Sequence, residues 1–306
     1  VQGPALMLTA IVVFTLLDAN SKLLAGGYGV GQVVFMRFAV LVPLFFLLRA
    51  AWPGLGGPLT SARPGLHALR AVMMMISAAG FFLAFRHLPL AEGYLMFFTS
   101  PFLTMALAAL VLGEKVPARA WFWCAVGFGG VLVAMAPKLG GSGTAADLEG
   151  YLWLALAVCS YSVTQTVNRS LRGENGLAAL VVWPGLLGLV VFGPLAAWTW
   201  QSSPIGDLAR LGMNGVLAGA GAVLAAAAYR YADAARLGPY SFVALPSSVA
   251  LDWLVWHHAP AAATLAGGVI VVFACVMSER ARRTHREVAA PLDPARTSRV
   301  RVYNKN

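Results

Sequence analysis

The chain has 306 residues, 59% of them hydrophobic and 11% charged, with a formal net charge of +10. Soluble domains carry roughly 25% charged residues, so too few are present to cover a soluble surface, and the composition excludes a soluble protein in favour of a polytopic membrane protein. The basic residues gather in the C-terminal tail and the short loops, the positive-inside pattern, which argues against nucleic acid as a partner and for the lipid bilayer.

A membrane-crossing helix needs about 20 mostly apolar residues. Breaks at Gly, Pro and charge clusters divide the chain into ten such spans, at 4–24, 30–48, 66–85, 91–112, 117–136, 148–170, 177–200, 208–228, 239–256 and 260–278. Span 1 lacks the basic n-region of a cleavable signal peptide, so it is expected to remain as a helix. It begins apolar and then carries Asp18, Asn20, Ser21 and Lys22. Phe14, Asp18 and Ser21 are spaced i, i+4, i+7 and share one face. Span 2 carries Arg37. An ionisable group in a membrane helix costs at least ~2.5 kcal/mol on insertion scales, so Asp18 and Arg37 are expected to face the interior with partners. Both lie roughly 10 Å below the outer boundary at 1.5 Å per residue. Equal depth and a short connecting loop predict either a structural ion pair or a site where one of the two meets substrate.

Span 4 reads "YLMFFTSPFL", with Tyr94, Phe97 and Phe98 ahead of Pro101. Span 9 places Tyr240 and Phe242 ahead of Pro246. An internal proline removes a backbone hydrogen bond and kinks a helix, so Pro101 and Pro246 are the candidate hinges. The "GFGG" of span 5 and the Gly215/Gly219 pair of span 8 are expected to be close-packing faces. Span 6 carries Tyr161, Gln165 and Asn168 at the spacing seen in span 1.

These features recur in order. Arg86, Pro101 and Pro117 match Arg230, Pro246 and Pro260 at offsets of 144, 145 and 143, and the stripe of span 1 matches that of span 6 at 147. A near-constant offset is the signature of duplication. Five spans per copy is odd, so the second copy enters the membrane inverted, as in many transporters. The predicted fold class is an all-α polytopic membrane protein with ten transmembrane helices as two inverted five-helix repeats. The expected organisation is a first repeat over 1–139, a second over 147–279, and a basic, disordered cytoplasmic tail over 280–306. With both termini inside, inner loops carry nine basic residues, the tail eight and the outer side four, which favours cytoplasmic N and C termini; the expected location is the inner membrane of a bacterium.

The paired stripes and kinks predict a central substrate cavity formed by Phe14, Asp18, Ser21, Arg37, Tyr94, Phe98, Tyr161, Gln165, Asn168 and Tyr240. The predicted partner is a small-molecule substrate, bound by a monomer. Cys124, Cys159 and Cys275 stand alone in apolar segments, an odd count without metal-ligand spacing. They read as small buried hydrophobes, and no metal or cofactor is expected. Asp252 sits near the outer end of span 9 and reads as interfacial. A membrane-embedded lipid-modifying enzyme is the competing class, but no H-E-x-x-H or comparable constellation is present.

The run "RHLPLAEGYLMFFTSPFLTMALAALVLGEKVP", followed by "GFGGVLVAMAP", resembles the drug/metabolite transporter superfamily, specifically its ten-helix EamA-type exporters. The resemblance covers nearly all of residues 4–280. It implies a central cavity, alternating access and a metabolite cargo. Within the family, the YddG-type exporters of aromatic and hydrophobic amino acids fit an aromatic cavity best. Vitamins, nucleosides, nucleotide-type solutes and S-adenosylmethionine-like solutes are the alternatives. One departure stands out: span 9 ends in "WHHAP" where span 4 ends in "LGEKVP", so no second glutamate matches Glu114.

Overall fold

The structure, a computed structural model, describes residues 2–51, 57–171, 177–231 and 237–289. Its order is α1 (Gln2–Ala25), α2 (Val30–Ala51), α3 (Pro64–Ala84), α4 (Leu90–Phe97), α5 (Ser100–Val111), α6 (Ala118–Pro137), α7 (Ala145–Ser170), α8 (Leu177–Trp198) and α9 (Ile205–Tyr231), then a 3₁₀ turn (Gly238–Val243), α10 (Ala244–Trp256) and α11 (Ala262–Ala289). The fold is all-α, and these elements make ten rods. Span 4 is α4 with α5, span 9 is the 3₁₀ turn with α10, and span 10 is α11. Among the described residues, eight rods are long and apolar enough to cross a membrane. The other two fall short for local reasons. Span 6 carries the polar run "SYSVTQTVN", and the α-helical part of span 9 has only 13 residues.

Both predicted kinks are breaks. α4 stops at Phe97 and α5 restarts at Ser100, just before Pro101. The 3₁₀ turn ends at Val243, and Pro246 is the third residue of α10. The proline ring clashes with the carbonyl four residues back, at Phe97 and Phe242, so each break falls where that carbonyl must turn aside.

The packing carries the duplication. Span 1 packs chiefly on span 8, and span 3 packs on span 6; exchanging each span for the one five places away turns the first pair into the second. Under the same exchange the contact of span 2 with span 8 becomes that of span 7 with span 3. The contacts of span 5 with 10, 2 with 7 and 4 with 9 map onto themselves. All of these join one half to the other, so the two repeats are interlaced rather than standing as separate packing units. At the crossing of spans 5 and 10, a Cβ on Gly130 would meet the Gly267 carbonyl, and a Cβ on Gly267 would meet the Gly130 carbonyl. Only glycine allows that approach. Gly215 likewise lets span 8 lie against the backbone carbonyl of Arg37.

Spans 1 and 2 scarcely touch, contrary to the expectation drawn from their short loop. Span 8 takes the place between them, because its glycine face accepts both. A further difference lies at the C-terminus. α11 continues to Ala289, so residues 280–289, expected to be disordered, are helical. The run "SERARRTHREVA" is rich in residues of good helix propensity, which extends the rod once it has begun. Residues 290–306 lie outside the described part. Cys124 and Cys275 are buried as expected, whereas Cys159 is exposed on the outside of span 6.

Candidate functional site

We call the face carrying the span 1–2 loop the outer face, following the loop charges. The predicted site residues fall into an outer and an inner cluster joined by rings. In the outer cluster the Tyr94 hydroxyl donates to Asp18 Oδ2 at 2.6 Å. Arg37 Nη2 donates to Ser21 Oγ at 3.1 Å. Ser21 in turn donates to the Leu17 carbonyl at 2.8 Å and lies 3.5 Å from Asn214 Oδ1. Asp18 and Arg37 therefore form no direct ion pair, because the span that would have brought Arg37 to Asp18 is held away by span 8. Arg37 Nε is buried and has no hydrogen-bond partner. Phe14 closes the cluster against Gly221.

The inner cluster runs along span 6. Gln165 Nε2 donates to the Tyr161 hydroxyl at 3.0 Å, and Asn168 Nδ2 donates to Gln165 Oε1 at 2.8 Å. Asn168 Oδ1 accepts from Arg70 Nε at 2.6 Å, and Arg70 Nη1 donates to the Leu180 carbonyl at 2.8 Å. The two clusters correspond. Ser21 and Asn168 are 147 apart, and their partners Asn214 and Arg70 are 144 apart. Arg70 and Asn214 are the residues that motif reading missed; each lies on an otherwise apolar stretch at matching repeat positions, a signal that the offset alone would have revealed.

Phe97 bridges the clusters, with its ring 6.2 Å from Tyr94 and 4.9 Å from Tyr161, both edge-on. Phe98 meets Phe242 across the two breaks at 5.4 Å. Tyr240 is half-buried and packs on the same core cluster as Tyr94 and Phe98. Pro101 and Pro246 are exposed on the outside of their rods. The arrangement presents two sets of hydrogen-bonding groups separated by a ring surface, which suits an amphipathic solute. A groove of about 880 Å³ between spans 9 and 10, lined by Pro246, Trp253, Val269, Phe273 and Arg280, is a different feature. Val269 and Phe273 are 71% and 52% exposed, so it opens outward.

The halves are joined by a clasp on the outer face. Lys138 Nζ reaches Asp147 Oδ1 at 2.7 Å and Glu92 Oε2 at 3.0 Å, and the Tyr151 hydroxyl also donates to Glu92 at 2.6 Å. Thr144 and Asp147 form a capping box that starts α7, and Gly141, at φ 115, turns the chain into it. The hydrogen bond from Lys138 holds the Asp147 carboxyl down to about 2, against partial burial that would raise it. Partial burial works against the Lys138 ammonium, but its two carboxylate partners outweigh that and raise it above 10.5.

Ten rods in an inverted repeat, polar groups turned inward within the spans and paired helix breaks define a multi-pass membrane transporter. Residues 148–279 match the EamA-like transporter family. Together with the relatives below, this match supports an EamA-type transporter of the drug/metabolite transporter superfamily. It is 28% identical to a riboflavin transporter of Rhizobium johnstonii over 94% of both chains. It is 27% identical to the pseudopaline exporter CntI of Pseudomonas aeruginosa, over 92% of this chain and 97% of that one. It is 24% identical to an S-adenosylmethionine uptake transporter of Rickettsia bellii, over 83% and 85%. A solved crystal structure shares the fold at a TM-score of 0.64 and 19% identity, over 92% of this chain and 98% of that one.

Proposed function

We propose that the chain is a secondary transporter that moves small amphipathic metabolites across a bacterial inner membrane by alternating access. The cargo carries a ring and a carboxylate, and aromatic or hydrophobic amino acids leaving the cell are the first candidates. Arg37 carries this reading. Its Nε is a buried donor of a charged group without an acceptor, a situation that costs more than the 1–3 kcal/mol of a neutral orphan. A solute carboxylate would satisfy it, while Asp18 offers a counter-charge to an ammonium and the Tyr94–Phe97–Tyr161 surface offers a ring edge-on contacts of about 0.5–1.5 kcal/mol per ring pair. Both termini are assigned to the cytoplasm by the loop charges.

A second reading has support from the relatives, which are named for riboflavin and S-adenosylmethionine. Each of those molecules also joins a flat ring system to a polar remainder. Thermal unfolding of the purified protein separates the readings, since a ligand that binds only the folded state stabilises it by about 2.7 kcal/mol at a hundredfold excess over Kd. L-Tryptophan is expected to stabilise and tryptamine, which lacks the carboxylate, is not. Arg37→Gln should remove the difference. Stabilisation by riboflavin or S-adenosylmethionine alone moves the assignment to the second reading. Equal stabilisation by tryptophan and tryptamine sinks the role given to Arg37.

A further inference from the structure

Lys22 Nζ lies 2.9 Å from Asp252 Oδ1, with side chains 10% and 3% exposed. The pair joins span 1 of the first half to span 9 of the second. At the opposite face Arg169 Nη1 lies 3.3 Å from Glu114 Oε2, with side chains 22% and 31% exposed. That pair joins span 6 of the second half to span 4 of the first. The cations are repeat equivalents, 147 apart. Their acids lie on exchanged spans, each on the segment beyond a helix break: Glu114 just past α5, and Asp252 in α10.

The acids are not residue equivalents, and the backbone shows by how much. The Glu114 N–H bonds the Ala108 carbonyl at 3.2 Å, and the His258 N–H bonds the Asp252 carbonyl at 3.1 Å. Both bonds follow a residue with positive φ, Gly113 at 67° and His257 at 54°. All three correspondences sit at 144, so Asp252 answers to Ala108 and His258 to Glu114. Asp252 is thus six residues further into its rod, about 9 Å at the helical rise. Its second oxygen accepts the Ala91 N–H at 2.8 Å, at the start of α4, where the N-cap is Pro89 and supplies no side-chain acceptor. Lys22 also lies 4.3 Å above the Trp256 ring.

We propose that Lys22–Asp252 and Arg169–Glu114 are the two gates of the transport cycle, one at each face, each closed by a cation on the first span of one half and an acid beyond the helix break of the other. Opening a gate parts its pair as α5 or α10 swings about its break, while the opposite pair stays closed. The inference rests on the alternating-access reading above, and its test uses no substrate, so the two fail separately.

The reporter is Gln165→Cys in a chain whose Cys124, Cys159 and Cys275 are replaced by Ala. Its reaction with a membrane-impermeant thiol reagent is followed from each face in oriented vesicles. Asp252→Asn is expected to raise the rate from the Lys22 face, and Glu114→Gln the rate from the Arg169 face, each by about tenfold, the change produced when a rarely open state becomes ten times more populated. Each should leave or lower the rate from the other face. Because Asp252 also holds the start of α4, Lys22→Gln repeats the outer test without touching that bond. If the outer and inner variants raise the rate from the same face, or neither changes it in folded protein, the pairs are not gates.

Discussion

The two ends of the molecule are built on one plan and finished differently. At the outer end a largely covered lysine and a buried aspartate are joined by a backbone amide and an indole ring. At the inner end a partly exposed arginine and glutamate meet at 3.3 Å. The difference comes from where the acid falls along the second rod, not from the rod. Six residues of shift turn a solvated rim contact into a buried one. An exposed pair contributes about 0–1 kcal/mol, whereas removing one partner of a buried pair costs about 3–5 kcal/mol because the other charge stays unpaired. If the two pairs act as the proposed gates, the inner one is expected to open with less opposition.

The largest test of that contrast is truncation of the two acids. Asp252→Ala should lower stability by about 3–5 kcal/mol, seen as a large fall in the thermal unfolding midpoint in detergent. Glu114→Ala should cost less than about 1 kcal/mol. Similar losses at both would remove the distinction between the ends. The second test places a side chain at the crossing of spans 5 and 10. Gly267→Leu has to displace the Gly130 carbonyl and Ala134, an overpacking cost of about 1–3 kcal/mol, and because this crossing joins the two halves it should slow transport in both directions. Loss in one direction only would show that the crossing belongs to one gate. Third, Trp256→Ala removes the ring beneath Lys22 and should cost about 0.5–2 kcal/mol. It should do so only while Asp252 is present, so a cycle with Asp252→Asn would show coupling.

The smallest effect is in pH. The Asp147 carboxyl is held at about 2, below its ordinary 3.8. Its contribution to the outer clasp is therefore complete above about pH 4 and is lost as pH falls through about 2. The Lys138 ammonium is raised above 10.5, so its contribution is present below that value and fades as pH rises beyond it. Amide exchange over residues 138–148 should accelerate below pH 4 while residues around Arg169 and Glu114, which lack this clasp, stay unchanged. Acceleration at neutral pH would contradict the clasp.

Much of this was legible in the sequence, because the dominant signals are local. Ten apolar runs, two prolines, the glycine faces and the stripes of spans 1 and 6 each follow from helical spacing and lipid's intolerance of bare polar groups. The capping box at Thr144 and Asp147 was also open to inspection. What sequence could not supply was the choice of neighbours. The loop between spans 1 and 2 allows them to pack together, yet the close approach at Gly215 and Gly221 favours span 8. Asp18 consequently meets Tyr94, and Arg37 meets Ser21, rather than each other. Asp252 was read as interfacial from its distance to the end of its span, and the structure buries it at 2% exposure. Its partners come from two other rods, Lys22 of span 1 and Ala91 at the start of α4, which no single segment reveals. The missing counterpart of Glu114 has the same explanation: position along a helix was compared, but the partner across the interface decides which acid serves.

The interlacing of the halves bears on how the molecule is made. The main contacts of spans 1 to 5 are with spans 6 to 10, so a nascent chain that has placed its first five helices in the bilayer has almost nothing to close upon. At synthesis rates of about 5–20 residues per second, the second half takes on the order of ten seconds to follow. During that interval Asp18, Arg37 and Arg70 sit in lipid or against the insertion machinery without Asn168, Asn214 or the rest of their final company. Two separately made halves should thus recover activity only when expressed together, and biogenesis, rather than the finished fold, is where these polar spans are most exposed to failure.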